Sequence, residues 1–298
     1  MRLHTGPNGR REVLPIHRRH VAIASFVAAA LALLAIVASL RAVSTWRFYL
    51  PRFGQSSFIG LGFNPTPGRS ASKSVSAQGV QRVEIEAPIG SVSVSTGSPT
   101  RFGLHWTVSG NPAGAVTTSL AGGVLTIRFA PNTTIPINVA QLSVTMPGGL
   151  PLGARVGTGT LSVQGAIPSL SATVQTGALK VIGFTGSLSA VDHVGPMSVQ
   201  NATIKGPLSL VVGTGPLNFS GDPGLAATIT DQLGPINLNI TPSGQLAVRA
   251  QVPLGPFASG FPGLSTGTNG TFRGTIGGGK PGYLRVTDQT GPVNISPF

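Results

Sequence analysis

Beyond residue 52 this 298-residue chain has six carboxylates, and their types and spacing restrict the chemistry they could perform. Glu84 and Glu86 stand two residues apart, which on a strand places both on one face, the arrangement from which a glycosidase could draw an acid and a second carboxylate. Val83, Ile85 and Ala87 alternate with them, however, so an amphipathic strand with a solvated edge explains both without catalysis. Asp192 is followed by His193 and occupies an alignment position that Val174 and Val212 fill elsewhere. An inward carboxylate there is costly unless paired, and the expectation is a distorted turn or a locally hydrogen-bonded cap. Asp231 and Asp288 recur in the sequence Asp-Gln-x-Gly-Pro, where an aspartate most simply accepts backbone N–H groups of a turn. Calcium is the rival ligand, but calcium-binding β-helix repeats use closely recurring Gly-Gly-x-Gly-x-Asp units, and this chain has seven acidic residues in all.

The other candidates are weaker. His4, His17, His20 and His105 are too dispersed for a metal site. Gly277-Gly278-Gly279-Lys280 lacks the following Ser or Thr and the helix of a phosphate loop, and reads as a turn. With no cysteine, thiol catalysis, cysteine–zinc sites and redox switching are excluded. Six Asn-x-Ser/Thr sites begin at Asn132, Asn201, Asn218, Asn239, Asn269 and Asn294; strand-surface composition accounts for most of them. No catalytic, cofactor-binding or metal-ligating residue is assigned, no cofactor is implied, and the chain is read as not an enzyme.

The elements that would position these residues are short strands. Val83 to Ala87, Ser91 to Val94, Phe102 to Val108, Val124 to Phe129 and Leu142 to Met146 alternate apolar and polar residues between turn-rich pieces. These early strands are irregular enough to include antiparallel hairpins that cover one end of a stack. From Val156 the chain becomes periodic. Gly159, Gly177, Gly195, Gly215 and Gly234 each open a Gly-x-apolar-x-apolar unit, at intervals of 18, 18, 20 and 19 residues. Second strands fall between them at Leu170 to Val174, Leu188 to Asp192, Leu208 to Val212, Leu225 to Ile229 and Leu246 to Ala250.

Such a period predicts an all-β, flattened single-stranded β-solenoid, parallel and roll-like, each rung being two short strands joined by two turns. One rung cannot bury its apolar face alone, but rungs about 4.8 Å apart share a core. Corner glycines supply φ > 0, and Ala172, Ala190 and Ala227 fall at the centre of the inward face, so the core is expected to be narrow. Residues 255–279 break step and predict a loop with a capping strand. Val286 to Ile295 then closely copies Ile229 to Leu238, which makes the C-terminus part of the fold.

Ahead of the strands, Val21–Leu40 is a run of twenty residues without charge or strong helix breaker. At about 1.5 Å per residue it just crosses a hydrocarbon core of about 30 Å. It is longer than the apolar core of a cleavable signal peptide, and Arg41, Trp46, Arg47 and Tyr49 follow in place of a small-residue cleavage site. Arg10, Arg11, Arg18 and Arg19, with Arg2 farther out, precede the span, while Arg41, Arg47 and Arg52 follow it, a bias toward an inside N-terminus. The expected organisation is a basic cytoplasmic tail (1–20), a transmembrane helix (21–43), a Gly/Ser/Pro linker (44–80) and a β-solenoid ectodomain (81–298). The net charge of +13 divides accordingly: beyond Arg52, twelve Lys or Arg face six Asp or Glu. No basic cluster with interleaved aromatics stands in that sequence, so no specific nucleic acid is expected.

The run Leu142-Ser143-Val144-Thr145-Met146-Pro147, the units at Gly159 and Gly177, and the closing run Leu284 to Ile295 make the chain resemble the bacterial putative adhesin domain, related to the head and toast-rack β-solenoid domains of cell-envelope proteins. The resemblance covers about residues 80–298. It implies a bacterial envelope or surface protein, single-pass in the plasma membrane with its C-terminal domain extracytoplasmic. The expected function is a non-catalytic adhesive or structural surface. An envelope-stress sensory or scaffold module acting through a partner, and a polysaccharide-acting enzyme, are the alternatives. Expected partners are the bilayer through Val21–Leu40, a cell-surface glycan or envelope protein, and further copies of the chain.

Overall fold

The computed structural model describes residues 68–109, 111–131, 140–266 and 270–298. The expected basic tail, the transmembrane helix and the linker up to residue 67 lie outside the described residues. Among the described residues every regular element is a strand, and no helix is long and apolar enough to cross a membrane.

Seven strands form the N-terminal part: β1 (Gly68–Ser76), β2 (Arg82–Ile89), β3 (Ser91–Gly97), β4 (Arg101–Ser109), β5 (Val116–Ala121), β6 (Val124–Phe129) and β7 (Gln141–Pro147). The periodic part contributes β8 (Leu152–Gln164), β9 (Ser169–Ile182), β10 (Thr185–Val194), β11 (Met197–Thr214), β12 (Leu217–Asp222), β13 (Ala226–Leu233) and β14 (Ile236–Ile240). The C-terminal part adds β15 (Gln245–Gln251), β16 (Phe257–Ser259), β17 (Leu264–Thr266), β18 (Thr271–Ile276), β19 (Pro281–Asp288) and β20 (Val293–Pro297). All twenty belong to one hydrogen-bonded sheet. The result is an all-β, solenoid-like stack. β1 falls within the segment read as linker, and its antiparallel pairing with β4 gives Gly68–Ser76 a place in the sheet.

The stack has two strand faces. On the first, β6, β2, β8, β9, β10, β11, β13, β19 and β15 pair in parallel in that order. On the second the order is β7, β3, β8, β9, β11, β12, β14, β20 and β16. Spatial order therefore departs from chain order at both ends. The β2–β3 rung is inserted between β6–β7 and β8, and the C-terminal β19–β20 rung between β13–β14 and β15–β16. Antiparallel strands close the ends: β5 on β6 and β4 on β7 at one, β18 on β15 at the other. These cover sheet edges that would otherwise template pairing with another chain.

Two strands per rung is too simple a description. β8 and β9 run unbroken through the corner and stay in register across it, Thr158 with Thr176 and Gly159 with Gly177. At this corner the glycines stack into a column, from Gly90 through Gly159, Gly177, Gly195, Gly215, Gly234 and Gly291 to Gly255. A Cβ on each one after Gly90 would overlap the carbonyl oxygen of the glycine before it. Gly159, Gly177, Gly195 and Gly215 also have φ between +139° and +150°. Gly234, Gly255 and Gly291 do not have positive φ, so close backbone approach is the requirement shared along the column.

The core lies between the faces. Leu161, Leu179, Met197, Leu217, Ile236 and Val293 form one buried row in register on the second face. Full burial of each such side chain is worth about 1.5–3 kcal/mol. On the first face Ala154, Ala172 and Ala190 share the central inward row. Ala227 does not join them: it is opposite Leu208, and Ile229 takes the central position. The expected strand Leu225 to Ile229 is thus aligned two residues too early: the 19-residue offset that pairs Thr203 with Asp222 continues through Pro207 and Ala226, so Leu208 meets Ala227 and not Leu225. Likewise β15 does not follow β13, since the C-terminal rung lies between them.

Candidate binding faces and buried carboxylates

The second face carries an almost uncharged polar row. Ser143, Ser93, Ser162, Lys180, Ser198, Asn218, Asn237 and Asn294 are successive register partners. Their alternation with the buried row turns them outward. The Ser93 hydroxyl donates to Ser143 Oγ at 3.1 Å, and Asn237 Nδ2 to Asn218 Oδ1 at 3.1 Å. Each link leaves further donors and acceptors for solvent or a ligand. Three of the expected Asn-x-Ser/Thr sites, at Asn218, Asn239 and Asn294, prove to be outward positions of consecutive strands.

On the first face Glu84 and Glu86 point outward from β2. This strand is not an edge, because β6 and β8 flank it; the solvated surface is its outer face. Glu84 pairs with Arg82, and its carboxylate lies over Gly153, where a Cβ would collide with it. Glu86 borders a shallow depression with Arg155, Thr173 and Gln175. Asp192, Asp231 and Asp288 occupy the opposite side of the same sheet and are fully buried. The carboxylates weighed for catalysis are therefore split between two sides of the sheet. Among the described residues no three His, Cys, Asp or Glu gather as a metal site. His105 and His193 are both exposed on separate strands.

The buried aspartates share one inward row. Asp192 is opposite Val174 and Val212, and Asp231 is opposite Val212 and Asp288. Asp231 Oδ1 accepts the Leu233 N–H at 3.0 Å, and Asp288 Oδ1 accepts the Thr290 N–H at 3.0 Å, as the turn motif requires. The Oδ2 atom of each has no hydrogen-bond partner. Asp192 departs from expectation, since neither of its oxygens is hydrogen-bonded. Burial pushes its carboxyl up to about 6, opposed by the field of the Val194 amide and of His193. Burial, and then the charge of Asp288, raise Asp231 to about 7. Burial raises Asp288 to about 6.

One grouping is invisible in the linear sequence. Arg285 on β19, Arg249 on β15 and Arg273 on β18 are register partners. Alternation alone shows that each points outward. Recognising them as neighbours requires the inserted C-terminal rung, which period counting does not reveal.

No family model matches the chain, and no curated protein matches it in sequence. Among solved structures, a putative cell adhesion protein from Clostridium sporogenes is similar at 12% identity over 78% of this chain and 100% of that one, with a TM-score of 0.38. A putative adhesin from Bacteroides fragilis is similar at 8% identity over 78% and 99%, with a TM-score of 0.29. A putative lipid binding protein from Parabacteroides distasonis is similar at 12% identity over 76% and 96%, with a TM-score of 0.29. These are distant likenesses to bacterial proteins, and they assign no family.

Proposed function

We propose that this chain is a non-catalytic surface module, held in the plasma membrane by Val21–Leu40 with its β-solenoid outside the cell, and that it acts through an adhesive face. The observation that carries the reading is the in-register polar row from Ser143 to Asn294 on the second face. A repeat of hydroxyls and amides at about 4.8 Å presents many equivalent weak donors and acceptors along a line. Contacts of that kind gain strength by number once several engage together. Such a surface suits a glycan or an extended protein segment, while the apolar run and the arginines before it support an outward-facing fold.

Replacing Asn218, Asn237 and Asn294 together by Ala tests the face. Cells displaying the variant should show at least about a threefold loss of attachment to a glycan- or envelope-coated surface, since cooperating contacts are lost together. Surface abundance and thermal stability should stay near wild type. Unchanged attachment at equal abundance would contradict the assignment of this face.

A further inference from the structure

The two faces meet at the corner marked by the glycine column, and the residue before each glycine forms a second column there, in register from Ile89 to Leu254. Ile89, Val194, Leu233 and Leu254 stand in it, with threonines such as Thr176 and Thr214 between them. All are exposed, and the four aliphatic residues make up more than half of the large apolar side chains exposed among the described residues. Single exposed aliphatics are ordinary on a protein surface, whereas a continuous row of them marks a contact site. No Lys, Arg, Asp or Glu flanks the row, either at the position before it or at the one after the glycine, and His193 is the one titratable side chain there.

The backbone at this corner is paired within the stack. The amides of Gly195, Gly215, Gly234 and Gly291 donate to the carbonyls of Thr214, Leu233, Thr290 and Leu254 at 2.8–3.2 Å. Pro196, Pro216, Pro235, Pro292 and Pro256 take the position after the glycine on five successive rungs. Proline has no N–H to leave unpaired, and each of these carbonyls accepts an amide of the adjacent rung at 2.9–3.0 Å. An apolar medium demands such pairing, because a polar backbone group without a partner is costly there. A polar ligand, by contrast, finds few donors along this edge.

The corner is a convex edge. Rungs about 4.8 Å apart make it about 34 Å long from Ile89 to Leu254, and the separation of packed sheets makes it about 10 Å wide. The resulting area, about 340 Å², is less than half the roughly 800 Å² that each partner of a stable protein complex buries, so a second copy set edge to edge gains too little. The headgroup boundary of a bilayer yields around such an edge and takes up apolar side chains in proportion to their area. The chain also supplies its own tether: with Val21–Leu40 in the membrane, the linker reading of residues 44–67 gives a reach of about 30 Å. A weak lipid contact then operates at high effective concentration. We propose that the corner from Ile89 to Leu254 docks on the outer leaflet, with Ile89, Val194, Leu233 and Leu254 entering the headgroup boundary. This rests on the reading of the chain as an anchored surface module and adds a second membrane contact to it, one that leaves the polar row of the second face clear of lipid.

The test uses the full chain reconstituted in phosphatidylcholine vesicles, with one cysteine introduced at a time into a sequence that has none. An environment-sensitive nitrobenzoxadiazole probe is attached at Thr214→Cys, in the row, or at Ser189→Cys, exposed on the outer side of β10. Nitroxide-bearing lipid should quench the Thr214→Cys probe at least about threefold more than the Ser189→Cys probe. Replacing Val194, Leu233 and Leu254 together by Ser should bring the first down to the second while thermal unfolding stays unchanged. Equal quenching at the two sites, or quenching that survives the triple replacement, would overturn the proposal. So would a Thr214→Cys probe whose emission shifts to the blue with rising protein-to-lipid ratio and without nitroxide quenching, which assigns the row to a second copy. Alkaline carbonate extraction separates this contact from the anchor. A chain that resists extraction but shows no quenching at the row overturns the corner contact alone, and a chain that is extracted although its row is quenched contradicts the span and supports the corner.

Discussion

Asp231 on β13 and Asp288 on β19 are register partners, both fully buried, each with one oxygen bonded to a turn amide and one without a partner. The duplicated Asp-Gln-x-Gly-Pro sequence thus stacks directly on its own copy and brings two carboxyls together inside the core. Burial raises both, Asp231 to about 7 and Asp288 to about 6, from an ordinary value of 3.8.

A pH dependence follows. Between pH 4 and 7 the folded chain holds protons that the unfolded chain has released, so stability falls as pH rises through this window. The contribution is fully present below the ordinary carboxylate value and lost once pH passes the raised ones. Thermal unfolding should therefore occur at higher temperature at pH 4.5 than at pH 7.5. Asp231→Asn, which keeps an acceptor for the Leu233 amide and removes the charge, should raise Tm at pH 7.5 by on the order of 2–4 °C and flatten the profile. A Tm that rises with pH over this interval would contradict the assignment.

The corner column predicts a sharp positional contrast. In Gly195→Ala the new methyl would overlap the Gly177 carbonyl, which belongs to the sheet backbone and cannot move aside. Urea unfolding should show a loss of about 3–5 kcal/mol, the range of severe core or backbone lesions. Gly278→Ala, where a Cβ meets nothing, should stay within about 0.5 kcal/mol.

The central row on the first face offers a second contrast. Ala190 lies between Ala172 and Leu210, fully buried. Ala190→Leu should cost about 1–3 kcal/mol by overpacking, read from the same urea transition. Ala247→Leu, exposed on the outer side of β15, should leave the midpoint nearly unchanged.

Rung insertion makes the C-terminus internal. Removing residues 281–298 takes away β19 and β20 and leaves β13 and β15, and β14 and β16, facing a missing rung. The truncated chain should lose cooperative unfolding and become sensitive to limited proteolysis well upstream, because each rung is stabilised by its neighbours. A truncated chain that melts like the intact one would show that the last rung sits at the end of the stack instead.

Much of this was legible because a stacked fold writes its period into the sequence. The Gly-x-apolar-x-apolar units from Gly159 to Gly234 located the corners, and Leu170, Leu188 and Leu208 aligned as they stack. The motif also assigned Asp231 and Asp288 to turns. Interleaving was not legible, since which rungs touch depends on where the chain re-enters the stack and not on local pattern. The arginine column of Arg249, Arg273 and Arg285 depends on that insertion, whereas Ala227 differs by register alone, since it stands opposite Leu208 on the strand next to it in chain order. A positive φ explains only part of the glycine column, since at Gly234, Gly255 and Gly291 a neighbouring backbone imposes the same demand.

The most direct test of the central claim, a folded face presented outside the membrane, uses the absence of cysteine from the chain. Ser171→Cys places one thiol at an exposed position of the first face, and Thr5→Cys places one in the N-terminal tail. In intact cells a membrane-impermeant maleimide should label the Ser171→Cys protein, and should label the Thr5→Cys protein only after permeabilisation. Labelling of the Thr5→Cys protein in intact cells, with the Ser171→Cys protein protected until permeabilisation, would contradict the account.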